Sequence, residues 1–236
     1  MNYAQAPYCR AFHDADLLLL QLYGLAYGAD RMVAHLLHRL WVHDFLAAPA
    51  DRRAAGCPVA GDPGKLLLVA EEAALLLVAL ATEAPPPADD PDRRARDALR
   101  REVVHALAPG PASHSQAQAG APLAAPADRP IPPQVVDEVL AAVAERRPAR
   151  GLEPEQFALR PACWIEYDPT FLHLSLESHQ RAQELRPAPT SPRPICPPPP
   201  DAHPLFQPLR RGTVTCPAAA LLTRSILEAA AETAAA

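Results

Sequence analysis

Apolar residues recur at helical spacing in the middle of the chain, where they predict a compact three-helix unit. A first helix carries Val103, Val104 and Leu107 on one face and is ended by the prolines and glycine at 109–111. The serines at 113–115 follow directly and can cap a second helix. The apolar face of a third helix is formed by Val135, Val136, Val139, Leu140 and Val143.

An extended, aromatic-rich stretch follows the third helix and completes this unit. Its predicted sheet-facing residues are Phe157, Leu159, Trp164, Ile165 and Tyr167. The order of helix, turn, helix, third helix and small hairpin is that of a winged helix-turn-helix, which we place at residues 98–186. A span of this size is sufficient for one small domain.

The N-terminal residues 1–83 predict a layer of helices. Asp14 and Asp16 stand before the apolar run 17–22, and Gly24 and Gly28 allow a bend before a second helix from about Asp30 to Phe45. The amphipathic face of that second helix is predicted to hold Met32, Leu36, Leu37, Leu40 and Trp41. The apolar run 66–81 contains two central glutamates, which favours a helix buried in protein over one in a bilayer. The predicted fold class is therefore mainly α, a helical scaffold followed by a winged helix.

Proline-rich stretches separate these parts. The chain has 30 prolines and only 9 glycines, and they predict extended connectors between its ordered parts. Residues 84–97 form a linker of prolines and acidic residues, and residues 187–204 form a second linker of polyproline character. We expect residues 205–236 to begin a further helical segment.

The charge and the cysteine spacing narrow the range of partners and cellular compartments that we expect for this chain. The net charge is −5, and the third helix carries Asp137, Glu138 and Glu145 where a DNA reader would present cations to phosphates. We therefore expect neither nucleic acid nor membrane as a partner. The five cysteines form no CxxC pair, which is typical of a reducing compartment, so we expect the protein in the cytoplasm or also in the nucleus. His35, His38 and His43 share a helix, but without further ligands at suitable spacing we expect no metal or other cofactor in this chain.

Two central motifs resemble a known family. The segments REVVHALAPGPASHS and EYDPTFLHLS resemble the region before the RING of UBR-type N-recognins, the E3 ubiquitin ligases of the N-degron pathway. The helical stretch upstream and the proline run followed by HPLFQPL downstream resemble the same family. The motif residues that carry this likeness are Arg101, Glu102, His105, Pro111, His114, Ser115, Tyr167, Asp168, Pro169 and Phe171.

The resemblance implies a large ligase that reads destabilising N-terminal residues and promotes ubiquitin transfer to substrate lysines for proteasomal degradation. Its partners would be a ubiquitin-conjugating enzyme and N-degron substrates, and its zinc would lie in a UBR box and a RING. Five scattered cysteines cannot supply those boxes, so this chain would be a fragment that acts as a noncatalytic scaffold within an enzyme. No catalytic, cofactor-binding or metal-binding residue is assigned here.

Other functional classes remain open at the level of sequence. A stand-alone winged-helix protein could act as an adaptor or as a DNA-binding regulator, although a basic third helix would have favoured the latter. A noncatalytic relic of a ligase is a third possibility. Cys- and His-rich blocks in the neighbouring sequence would distinguish a ligase fragment from these alternatives.

Overall fold

The computed structural model describes residues 7–42, 46, 62–83, 90–121, 130–149, 154–187 and 204–235. The chain divides into two units, one built mainly from residues 88–198 and the other from residues 14–87 and 199–236. The described residues are mostly helical, with one small two-stranded sheet. The predicted fold class, mainly α with a winged helix, is confirmed.

The helices of the second unit come from both ends of the chain. They are α1 (Pro7–Tyr27, which belongs to this unit from Asp14 onward), α2 (Ala29–Arg39), α3 (Pro63–Thr82), α8 (Gln207–Thr215) and α9 (Pro217–Ala235). Both α8 and α9 pack against α2 and α3, so the residues after position 204 share a core with the N-terminal helices. The buried Gln21 side chain donates hydrogen bonds to the carbonyls of Leu80 (3.3 Å) and Glu83 (3.1 Å), which satisfies the end of α3.

Several expectations for these helices are corrected. Helix α1 starts at Pro7, so Asp14 and Asp16 lie within it and do not mark its beginning. The predicted break after α1 is found at Gly28, whose φ of 94° suits glycine. Helix α2 ends at Arg39, and its buried residues are Met32, Val33 and Leu37.

The apolar face predicted for the second helix extends beyond the residues that are helical in the structure. Leu40 and Trp41 are exposed because they lie beyond the end of α2, where Trp41 has a φ of 61°. Helix α3 is confirmed over the run 66–81, and no helix among the described residues is long and apolar enough to cross a bilayer.

The first unit has the winged-helix order. It contains α4 (Pro91–Leu107), α5 (His114–Ala117), α6 (Pro133–Val143), β1 (Ala144–Arg147), β2 (Gln156–Leu159) and α7 (Leu176–Leu185). Helices α4 and α6 pack tightly against each other through their predicted apolar faces. Leu99, Val103, Val104, Leu107, Val136, Val139, Leu140 and Val143 are all buried in this core.

The hairpin lies earlier in the sequence than the aromatic pattern predicted. Strand β1 pairs antiparallel with β2 in the register Ala144 to Leu159 and Arg147 to Gln156. The segment AERR is thus strand β1 and not the end of the third helix. Trp164 and Ile165, expected on the sheet, lie in a 3-10 helix at Pro161–Glu166, which begins at Pro161 after β2 ends.

Candidate functional site

Helix α6 occupies the position of the recognition helix in a winged helix-turn-helix. Its exposed residues include Gln134, Asp137 and Glu138, and none of the exposed α6 residues is basic. Asp137 Oδ1 lies 2.9 Å from His114 Nε2, and Glu138 Oε2 lies 2.9 Å from Arg96 Nη1. This surface therefore offers phosphate groups no cation from α6 itself.

The wing, formed by β1 and β2, is tied to the turn after α4 by backbone hydrogen bonds. Ala112 and Phe157 exchange two such bonds, with N···O distances of 3.0 Å and 2.8 Å. Arg160 follows β2 and donates to the carbonyls of Ala144 and Ala141, each at 3.0 Å. The wing is consequently fixed to α6 and to the turn after α4.

His105 joins the two family-like motifs at the centre of the unit, in a cluster with Arg101, Tyr167, Asp168 and Phe171 that we call the junction. The ring nitrogen Nδ1 lies 2.7 Å from the Arg101 carbonyl oxygen, and Nε2 lies 2.9 Å from the Asp168 backbone nitrogen. A carbonyl can only accept and a backbone N–H can only donate, so the ring must carry its one proton on Nδ1. Burial favours the same neutral form and lowers the pKa of His105 from 6.5 to about 4.

Asp168 and Arg101 reinforce this junction from opposite sides. An Arg101 Nη2 atom lies 3.2 Å from Asp168 Oδ2, and its guanidinium lies 4.7 Å from the centre of the Phe171 ring. Asp168 Oδ1 accepts from both the backbone N–H (2.8 Å) and the hydroxyl (2.7 Å) of Thr170. The connector 167–171 is thereby held against α4 by charge and by a local turn.

Arg100 fixes the 3-10 helix Pro161–Glu166 to α4. Its Nε and Nη2 atoms donate to the two carboxylate oxygens of Glu166, each at 2.7 Å, and this contact raises the pKa of Arg100. The aspartates interleaved with the arginines at 93–101 favour a solvated helix start with nearly balanced charge. That holds for the exposed Arg93–Asp97 pair, but Arg100 and Arg101 make tertiary contacts.

Tyr167 connects the junction to α7. Its hydroxyl lies 2.9 Å from His179 Nδ1 and 3.4 Å from the His179 carbonyl oxygen, while His179 Nε2 lies 2.9 Å from the Phe171 carbonyl oxygen. Tyr167 is fully buried, and desolvation raises its pKa to about 12. The hydroxyl is thus a structural donor under physiological conditions.

Glu102 and His173 form a second pair beside the junction. His173 Nδ1 contacts Glu102 Oε1, and both side chains are largely buried. Gly120 lies so close that a Cβ atom placed there would be 2.7 Å from the Cβ of Glu102. A glycine is therefore required at position 120 for the chain to pass over this carboxylate.

The structure brings most of the motif residues together. Arg101, His105, Tyr167, Asp168 and Phe171 meet in the junction, and Glu102 lies next to it. Pro169 is half-buried in the same connector.

The remaining motif residues lie around the start of α5. His114 pairs with Asp137, and Pro111 is exposed in the turn before the helix. Ser113 caps α5 in a reciprocal arrangement with Gln116, and the Ser115 hydroxyl lies 3.1 Å from that of Ser113.

Sequence reasoning did not single out Glu166, His173 or His179, which complete these contacts. Glu166 and His173 lie in the motif EYDPTFLHLS together with Phe171. For His179, the available signal was its helical spacing to Ala182 on the buried face of α7. Within the described residues, no group of three His, Cys, Asp or Glu side chains could hold a metal ion. His43, one of the histidines considered for a metal, lies outside those residues.

Comparison with known families agrees with this geometry. Residues 98–188 match the family model described as E3 ubiquitin-protein ligase UBR1-like, winged-helix domain. This segment is similar to the UBR1-like winged-helix domain. The match supports a relationship to the UBR-type E3 ligase family and to the ubiquitin pathway in general. No curated protein and no solved structure shows significant similarity to the chain.

Proposed function

We propose that this chain is the helical scaffold and winged-helix portion of a UBR-type E3 ubiquitin ligase that recognises N-degrons. The observation that carries the proposal is the UBR1-like winged-helix match over residues 98–188. In this role the segment is noncatalytic, and it positions a substrate-reading domain and a RING so that a substrate lysine meets ubiquitin. The product is a substrate marked for the proteasome.

The character of α6 supports a protein-facing role over DNA reading. Its exposed carboxylates, Asp137 and Glu138, are paired with His114 and Arg96, and its other exposed residues are uncharged. Such a surface would repel phosphates but can contact neighbouring protein domains. We therefore assign the domain to interactions within the ligase.

The junction supplies the rigidity that a positioning role needs. His105, Arg101 and Asp168 fix the connector to α4, and Tyr167 with His179 fixes it to α7. These contacts would fix the orientation of a helix or domain that follows α7. Zinc, a conjugating enzyme and N-degron peptides would be held by other domains of the ligase, in the cytoplasm or also in the nucleus.

A stability reporter in cells tests this function. We expect a reporter that exposes an N-terminal arginine to accumulate when the gene for this protein is deleted, while the same reporter with N-terminal methionine is unchanged. Re-expression of the wild-type protein should restore turnover, and a Phe171→Ala form should restore it less, because Phe171 is buried in the junction. Unchanged turnover of the arginine reporter after deletion would contradict the N-degron assignment.

A further inference from the structure

A cleft lies on the face of the winged helix that α6 and the wing leave free. It is bounded by α4 and the turn after it, by α5 and the turn that follows, and by the connector and α7. Its volume is about 560 Å³, within the range of sites for small ligands. No described residue of α6, β1 or β2 lines it.

The polar centre of this cleft is the Glu102 carboxylate. The Glu102 side chain is only 9% exposed, and its Oε1 atom contacts His173 Nδ1. In the described part of the molecule Oε2 has no hydrogen-bond partner, yet it is not sealed from solvent. A mostly buried carboxylate therefore presents one oxygen to the cleft.

The walls around that oxygen are mixed, with apolar side chains beside the polar side chains of Gln116, Ser178 and Arg181. Phe171, Leu174, Pro109 and Pro111 line the same space. Arg181 also lies at the cleft but is exposed, so solvent screens its charge more than that of the buried carboxylate. The cleft thus combines one deep carboxylate acceptor with walls that include apolar side chains.

We propose that this cleft binds a primary ammonium group carried on a short aliphatic stem. The ammonium would donate to Glu102 Oε2 while the stem packs against Phe171 and the prolines. A guanidinium fits less well, because His173 occupies the second oxygen that a bidentate contact needs. A metal ion also fits poorly, since no group of three ligating side chains lies together in the described residues.

This site is independent of the ligase function proposed above. The same ammonium chemistry is offered by a lysine side chain of a polypeptide and by a free aliphatic polyamine. Gly110 and Gly120 both line the cleft, and the chain has only 9 glycines, so their amide signals can be followed in the full chain.

Titration monitored by nuclear magnetic resonance of the 236-residue chain tests the proposal. The probes are lysine blocked at both ends, the matching norleucine compound without the ammonium, and spermidine. We expect saturable shifts of the Gly120 and Gly110 signals with lysine or spermidine at a Kd on the order of 1 mM. Norleucine should bind about tenfold more weakly or not at all. The amine that binds with the lower Kd identifies the source of the ammonium group.

Variants separate the carboxylate from the rest of the surface. Glu102→Gln keeps an acceptor for His173 but removes the charge, and should weaken binding about tenfold or more. Glu138→Gln, which changes an exposed carboxylate on α6, should bind as the wild type does. If Glu102→Gln does not fold, Ala119→Leu places bulk at the exposed edge of the cleft and leaves Glu102 itself in place, and it should cause the same loss.

The proposal is overturned if neither glycine signal moves with either amine up to concentrations on the order of 10 mM. It is equally overturned if a folded Glu102→Gln protein binds as tightly as the wild type.

Discussion

Acid should destabilise the winged helix through His105. The folded protein holds this ring neutral, because one nitrogen donates to the Arg101 carbonyl and the other accepts from the Asp168 N–H. A second proton would place an N–H against an N–H. The pKa is accordingly about 4 in the folded state, against an ordinary value of 6.5.

The sign and size of the effect follow from these two pKa values. Between pH 6.5 and pH 4 the unfolded chain binds more protons at this position than the folded chain, so the free energy of unfolding falls as the pH falls. At about 1.4 kcal/mol per pKa unit, the full loss is about 3 kcal/mol. The contribution is complete above pH 6.5 and disappears towards pH 4. This is a large part of the stability of a small domain.

Urea unfolding at a series of pH values measures this contribution. Trp164 lies in the same unit as His105, and a Trp41→Phe background makes it the sole tryptophan reporter of a chain with 2 tryptophans. His105→Asn removes the titrating ring, so its stability should fall less steeply between pH 6.5 and pH 4 than that of the parent. Comparison with the parent removes the contributions of the neighbouring charged groups, because both proteins share them. His114→Asn, the same change at an exposed histidine outside the junction, serves as the matched control for the substitution itself. A His105→Asn protein with the full parent slope would refute the reasoning.

Three further predictions concern the same unit. In urea unfolding, Phe171→Ala should lower the free energy of unfolding by about 3–5 kcal/mol, because the ring is buried against His105 and Arg101. The control Leu176→Ala, at an exposed leucine, should change it by about 0.5 kcal/mol or less. Gly120→Ala should cost about 1–3 kcal/mol in the same assay, because the new Cβ would collide with Glu102, and wild-type stability in this variant would contradict the close approach. Fluorescence anisotropy with duplex DNA should show no submicromolar binding, and tight binding that weakens steeply with salt would show that the α6 surface has been misinterpreted.

The helices could be predicted because the residues that define each helix lie close together in the sequence. The apolar spacing in α4 and α6 defines both helices and the buried face of each. Ser113 was identified as a possible cap from its residue type and place alone. The hairpin was harder to place, because β1 and β2 contain only four residues each and β1 continues directly from α6. Aromatic residues favoured strand for Trp164 and Ile165, but Pro161 directs that segment into a 3-10 helix.

The candidate site could be predicted only in part, for a different reason. The two motifs that the sequence offered contain His105 and Asp168, but their direct contact spans 63 residues of chain and leaves no periodic signal. The pairing of Glu102 with His173, 71 residues apart, is equally invisible to local patterns. The sequence can therefore nominate the residues, whereas the donor and acceptor roles that make His105 neutral require the folded geometry.

Ubiquitin transfer with purified components tests the central claim most directly. The reaction contains a conjugating enzyme charged with ubiquitin and a substrate with an N-terminal arginine. It is run with either the full-length ligase that we propose contains this chain or residues 1–236 alone. We predict that the full-length protein ubiquitylates this substrate and spares its methionine counterpart, while residues 1–236 do not accelerate discharge of ubiquitin. Robust discharge by residues 1–236 alone, or no transfer by the full-length protein, would contradict the assignment of this chain as a noncatalytic scaffold of a ligase.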